Sequence, residues 1–188
     1  MTDRLLELLD RPVEQAAAGL LGWRLRTELA DGPTEVELCE IEAYGGADDP
    51  ASHAFRGRTR RNSSMFAGAG TLYVYRSYGV HWCANVVTGE PGEAGALLLR
   101  GGVPSVGRNI MEGRRGRQDH LTDGPGRLCQ ALGIDGSHDG TSLLGGSIRL
   151  LPPAGRPGGE IVATPRIGIS RATDRLWRFR FQVPGSRF

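Results

Sequence analysis

The segment TEVELCEIEAY places Glu40, Glu42 and Tyr44 on one side of an extended strand, because side chains alternate along a β-strand. Two carboxylates and a phenol therefore stand in one row. By the same alternation Val36 and Leu38 precede them in that row, while Cys39, Ile41 and Ala43 occupy the other. A carboxylate thus ends an otherwise apolar stripe, where shielding from water would make it a stronger proton acceptor and fit it for general-base work. The plainer alternative is a solvated glutamate at a strand end. Acids at i and i+2 sit about 6.6 Å apart at Cα, near the separation used by inverting glycosidases. Those enzymes set their acids across a bond, whereas a single row does not.

A second group is aromatic. Tyr44, His53, Phe66, Tyr73, Tyr75, Tyr78, His81 and Trp82 crowd into residues 44–82, interleaved with Arg56, Arg58, Arg60 and Arg61, in a chain with only 6% aromatics. Such interleaving suits a stacking platform beside a phosphate-binding strip. Tyr73 and Trp82 read as core. Tyr78 differs, because Arg76-Ser77-Tyr78-Gly79 reads as a turn that carries its ring to an exposed tip, as a wedge between bases requires.

Other chemistries lack their cues. His53, His81, His120 and His138 show no metal spacing, and no GxSxG, GxGxxG or GxxxxGK motif occurs. Cys39, Cys83 and Cys129 form neither a disulfide framework nor a zinc set, and Cys129 reads as a small buried hydrophobe. All 23 basic residues are arginine. Without lysine, Schiff-base catalysis by a lysine amine is excluded. The net charge of +2 hides uneven patterning. Glu28 to Asp49 carries acids and no base, whereas Arg56–Arg61, Arg100–Arg117 and Arg166–Arg187 are basic segments. Gathered on one face, they would attract a polyanion.

These groups need a scaffold. At 188 residues the chain is sized for a single domain spanning 1–188, with no apolar run near the roughly 18 residues that span a bilayer. The N-terminus MTDRLLELLDRPVEQ carries acids within its leucine run and lacks a signal-peptide cleavage pattern, so a reducing cytosol is expected. LLELL and EQAAAGLLG read as short helices. WRLRTEL, TEVELCEIEAY, TLYVYRSY, VHWCANVV and GALLLR read as strands, with Asp31-Gly32 as a hairpin turn. VGRNIMEGRRGR is a weak helix, GPGRLCQALG a better one and LPPAGRPGG a loop, and strands resume at EIVATPRIGIS and LWRFRFQV. The expected class is α+β, with a curved, mostly antiparallel sheet flanked by short helices.

In that order and spacing, ELCEIEAYGGADDPASHAF, RRNSSMFAGAGTLYVYRSYGVHWCANVV, ALLLRGG, GPGRLCQALGI and PRIGIS resemble the alkyladenine (3-methyladenine) DNA glycosylase family of base excision repair. The resemblance covers the chain from about residue 13 onward. It implies a fold related to the C-terminal domain of methionyl-tRNA formyltransferase. It also implies a monofunctional enzyme that flips damaged purines out of double-stranded DNA. Glu42 aligns with the general base and Arg100 with the arginine that helps hold its water, together with a main-chain carbonyl near Ile167. Tyr44, His53 and Tyr75 align with the side chains around the extruded base, and Asn85 with the residue that crowds the 2-amino group of guanine. Tyr78 aligns with the intercalating finger, Val80 stands beside it, and Arg58 aligns with a phosphate contact. Val80 and His81 depart from the larger apolar residue and the aromatic found at those places in other members. No metal or cofactor is implied, and a monomer in a bacterial-type cytoplasm, on the nucleoid, is expected. A noncatalytic nucleic-acid-binding module, and a carbohydrate hydrolase using Glu40 and Glu42, are the rival readings.

Overall fold

A computed structural model describes residues 2–155 and 159–182. Two helices, α1 (Thr2–Leu9) and α2 (Val13–Leu20), lead into strands β1 (Arg24–Leu29), β2 (Gly32–Tyr44), β3 (Leu72–Ser77), β4 (His81–Thr88) and β5 (Gly95–Val106). Helices α3 (Arg108–Arg115) and α4 (Pro125–Leu132) follow, then β6 (Ile148–Leu151), β7 (Glu160–Thr164) and β8 (Arg178–Gln182). All the pairings are antiparallel and run β3-β4-β5-β2-β1-β6, with β8 added to β2 and β7 to β8. The class is α+β, as the sequence leads one to expect. No helix among the described residues is long and apolar enough to cross a membrane.

One sheet face is the core. Leu5, Leu9, Ala16, Ala17 and Leu20 of the first two helices pack with Leu128, Cys129, Ala131 and Leu132 of α4 against Leu25, Val36, Leu38 and Ile41. Each leucine, isoleucine or valine among them contributes about 1.5–3 kcal/mol by leaving water. Helix α4 starts on Pro125 and stops at Gly133, whose φ of 69° lets its N–H close the last turn. Helix α3 forms in spite of Gly113 and ends at Gly116.

Strand β2 corrects the simple alternation read from its sequence. Val36 and Leu38 share the core face with Ile41 and Ala43, not with Glu42. The reason lies in the pairing with β5, where Leu38 faces Gly102, Glu40 faces Gly101 and Ile41 faces Leu99, so that Cys39 and Arg100 are each left over. An extra residue on each strand flips both side-chain phases. Glycine is required there, since a Cβ on Gly102 would come within 2.7 Å of the Val36 side chain and 3.1 Å of the Glu37 carbonyl. The Thr122 hydroxyl caps the Gly102 carbonyl at 2.6 Å.

Three further differences from the sequence reading are local. β6 forms from IRLL, a run too short to be called from pattern alone, because β1 offers it a partner from Arg24 to Thr27. EIVATPRIGIS stays extended only to Thr164. Pro165 has no N–H for the ladder, and the groups after it bond elsewhere, as described below. The LPPAGRPGG loop and the end of LWRFRFQV lie partly outside the described residues, as does Arg187.

Candidate active site

Beyond the bulge, the second face of the sheet forms the floor of a cavity of about 840 Å³, within the usual size range of ligand sites. One row of directly paired residues crosses four strands. Glu42 faces Leu98, Leu98 faces Asn85, and Asn85 faces Tyr73. The next places along the strands add Tyr44, Ala96, Tyr75, Cys83 and Arg100 to the same face.

Glu42 has no exposed surface. Its Oε2 accepts the Tyr44 hydroxyl at 2.8 Å and a longer contact from Arg100 Nη1 at 3.4 Å, and its Oε1 accepts the backbone N–H of Ile167 at 2.8 Å. A buried carboxylate survives only with such partners. Tyr44, Arg100 and Ile167 all line the cavity, so the carboxylate lies directly behind its wall. The chain brings Ile167 there because β2 changes neighbours along one edge. Its first half pairs with β1, its second half with β8, and the segment between β7 and β8 folds back over the strand end. Burial and the adjacent Glu42 carboxylate push the Tyr44 phenol well above its ordinary range, so it remains a proton donor.

Glu40 is engaged differently. Its Oε1 accepts from Arg178 Nε at 2.7 Å and from Arg100 Nε at 2.9 Å. Burial alone would raise this carboxyl, but the two guanidinium bonds prevail and hold it below the usual range. Two guanidinium bonds favour the ionised form of this carboxyl, whereas a glycosidase pair needs one of its acids protonated.

The aromatic wall is built from β3 and the loop after β2. His53 and Tyr75 meet edge to face with ring centroids 4.5 Å apart, and Tyr73 stacks on Tyr75 at 5.5 Å. His53 Nδ1 is 3.1 Å from the Tyr73 hydroxyl. The His53 ring stands at the cavity mouth, and loss of water on its packed side, followed by the charge of Arg61, moves its pKa below the ordinary histidine value. Buried Asn62 holds this loop in place, since its amide donates to the carbonyls of His53 at 2.9 Å and Gly57 at 3.1 Å. Asn85 is likewise buried and donates to the Tyr73 carbonyl at 3.1 Å, which fixes its orientation on the floor.

Tyr78 caps the β3–β4 hairpin at 93% exposure, as the turn reading predicts. It has φ 48° and Gly79 has φ 69°, with Val80 N–H closing the turn on Ser77 at 3.0 Å. A tyrosine at positive φ is an uncommon, strained choice. Val80 is exposed beside it, and both Tyr78 and Gly79 border the cavity.

Several arginines of the basic segments are turned inward or engaged by acids. Arg100 and Arg166 point inward, and Arg108, Arg114 and Arg117 pair with Glu112, Asp31 and Asp119. Arg56, Arg58, Arg60 and Arg61 are exposed and form no ion pair with another described residue. Arg58 is not among the cavity-lining residues, but Arg61 is, with Nη2 on the Arg76 carbonyl at 3.0 Å. Sequence reasoning missed Arg61 as a separate contributor, as it missed the tie between Tyr73 and His53. The buried Asp49–Arg166 pair also escaped it, because its members lie 117 positions apart with no local signal joining them.

Comparison with known proteins gives this geometry a context. The family model described as Methylpurine-DNA glycosylase (MPG) matches residues 7–185. A relative from Frankia casuarinae, provisionally named a 3-methyladenine DNA glycosylase, is 45% identical over 187 residues, with 93% of this chain and 86% of the relative covered. A relative of the same name from Granulibacter bethesdensis is 50% identical over 173 residues, 90% of this chain and 79% of its own. Another from Methanoculleus marisnigri is 44% identical over 186 residues, 95% of this chain and 94% of its own. The family match takes in both the strand that carries Glu42 and the distant segment that returns to meet it, and on that ground the chain belongs to the methylpurine-DNA glycosylase family.

Proposed function

We propose that this DNA glycosylase everts an alkylated or deaminated purine from the duplex into the aromatic cavity and hydrolyses its N-glycosidic bond with a water activated by Glu42. One observation carries the reading. The single fully buried carboxylate of the site receives its donors from Tyr44, Arg100 and Ile167, all of which line that cavity.

A base within a duplex is out of reach, and turning it out costs a few kcal/mol, least at a damaged pair. Tyr78, with Val80 beside it, fills the vacated stack and offsets part of that cost. Inside, the base stacks against the wall made by His53 and Tyr75, opposite Tyr44. Those two rings meet edge to face at 78°, so a purine lying on one face meets the edge of the other ring. Stacking on an aromatic is worth about 1–3 kcal/mol per base, and a cationic alkylpurine gains further from electron-rich rings. Asn85, held by its bond to the Tyr73 carbonyl, crowds a 2-amino group and so disfavours guanine. Arg58, joined by Arg61, neutralises phosphates along the mouth.

As the bond between C1′ and the base nitrogen breaks, its electron pair leaves with the base and positive charge builds on the sugar. Glu42 stabilises that charge and takes a proton from the water whose oxygen joins C1′, while Arg100 and the Ile167 main chain orient the water. No lysine is present to form a Schiff base with the abasic product, so the strand is left uncut. The enzyme works without cofactor, as a monomer, in the cytoplasm on the nucleoid.

The test uses duplexes with a single hypoxanthine or 1,N6-ethenoadenine. Release of the free base, leaving an alkali-labile site in an intact strand, is the expected result. Equal binding of damaged and intact duplex with no base released would replace this reading with that of a noncatalytic binding module.

A further inference from the structure

Arg166 and Asp49 form an ion pair whose two side chains have no exposed surface. Arg166 Nη2 donates to Asp49 Oδ1 at 2.9 Å and Nη1 to Asp49 Oδ2, while Nη1 also donates to the Ala43 carbonyl at 2.9 Å. The guanidinium carbon lies 4.7 Å from the Tyr44 ring centroid and 5.3 Å from that of Trp177. Asp49 in turn accepts the backbone N–H groups of Gly45 at 3.1 Å and Ala51 at 3.2 Å. Three segments therefore meet on one pair: the end of β2, the loop that leads to His53, and the turn after β7.

Neither residue lines the cavity, and stability alone is a poor reason for the pair. Burying two charges costs several kcal/mol per ion, and apolar side chains of similar volume commonly do as well or better. What the pair supplies is fixed geometry. Arg166 is bonded covalently to Ile167, whose N–H meets Glu42 Oε1 at 2.8 Å, and its guanidinium faces the Tyr44 ring, whose hydroxyl meets Glu42 Oε2 at 2.8 Å. Two of the three donors to Glu42 thus depend on where Arg166 sits.

We infer that the Asp49–Arg166 pair is a positioning device that holds the Ile167 N–H and the Tyr44 hydroxyl on the Glu42 carboxylate, fixing the orientation of that carboxylate. Lysine cannot substitute for Arg166, because a point charge cannot bridge both Asp49 oxygens, reach the Ala43 carbonyl and lie flat against two rings. The kinetic part of this inference rests on the glycosylase reading, while its structural part does not.

Arg166→Lys and Asp49→Asn are compared with wild type in single-turnover base release, lesion-duplex affinity and the NMR signal of the Ile167 amide. The expected result is a release rate at least tenfold lower with affinity changed less than threefold, together with a shifted and faster-exchanging Ile167 amide. Ile148→Val, a mild core substitution away from the pair, is expected to leave that amide where it was. An unchanged rate and an unchanged amide in a folded Arg166→Lys protein overturn the inference. If neither variant folds, wild type decides it: an Ile167 amide as slow to exchange as those of central β5 supports the inference, and one as fast as exposed Gly168 overturns it. Failure of the glycosylase reading would appear separately, as wild type releasing no base, and the amide measurements would then stand alone.

Discussion

The backbone N–H of Ile167 reaches Glu42 Oε1 at 2.8 Å across 125 positions of chain. It meets the oxygen that Tyr44 and Arg100 leave free, so a carboxylate with no exposed surface has donors on both oxygens. A hydrogen bond to a charged group is worth about 1.5–3 kcal/mol. Each donor should therefore be visible as a separate energetic contribution.

Tyr44→Phe keeps the ring facing Arg166 and removes only the 2.8 Å bond to Glu42. Chemical denaturation should show a loss of about 1–3 kcal/mol, while lesion binding, for which the proposed role of Tyr44 needs only the ring, should change less than threefold. A variant as stable as wild type would mean that the hydroxyl does not help satisfy the buried charge.

Tyr78 pairs strain with exposure, at φ 48° and 93% accessible. Tyr78→Gly removes the strain at a position where glycine is at ease, so folding stability is expected to hold or rise by up to about 1 kcal/mol. If Tyr78 is the proposed wedge, affinity for a lesion duplex at fixed salt should fall at least tenfold. Unchanged affinity would remove Tyr78 from the DNA-binding surface.

Acid should unfold the protein partly through Glu40 and Asp49. Burial pushes both carboxyls up, and their arginine partners more than reverse this, leaving both below the ordinary range. The stability such groups contribute is complete above the unfolded value of about 4 and disappears as pH falls through the folded one. Thermal unfolding followed from pH 6 downward should show wild type losing stability below about pH 4. Glu40→Gln should be less stable at neutral pH and have a shallower acid slope. Parallel slopes for the two proteins would show that the Arg100 and Arg178 bonds do not hold Glu40 low.

Much of this was legible in the chain, because the strands and the exposed hairpin tip follow from local pattern. Tyr78-Gly79 announces its turn, and Pro125 and Gly133 bracket α4. What pattern cannot show is a change of phase. The leftover Cys39 and Arg100 exist only in the pairing of β2 with β5, so the residues sharing a face with Glu42 were half misread. Long-range pairing is hidden for a similar reason. Nothing local to Asp49 or Arg166 indicates that their charges cancel 117 positions apart, and Arg108, Arg114 and Arg117 look like a polyanion surface until their acids are found. The β6 strand needed its β1 partner before its four residues could count as a strand.

Glu42→Gln offers the most direct trial of the central claim, since it keeps the shape of the side chain and removes the group that would accept a proton from water. On a duplex with a single hypoxanthine, binding should stay within about threefold of wild type while single-turnover release falls at least a thousandfold, a step in keeping with general-base catalysis. Base release by Glu42→Gln at a rate near that of wild type would contradict the account.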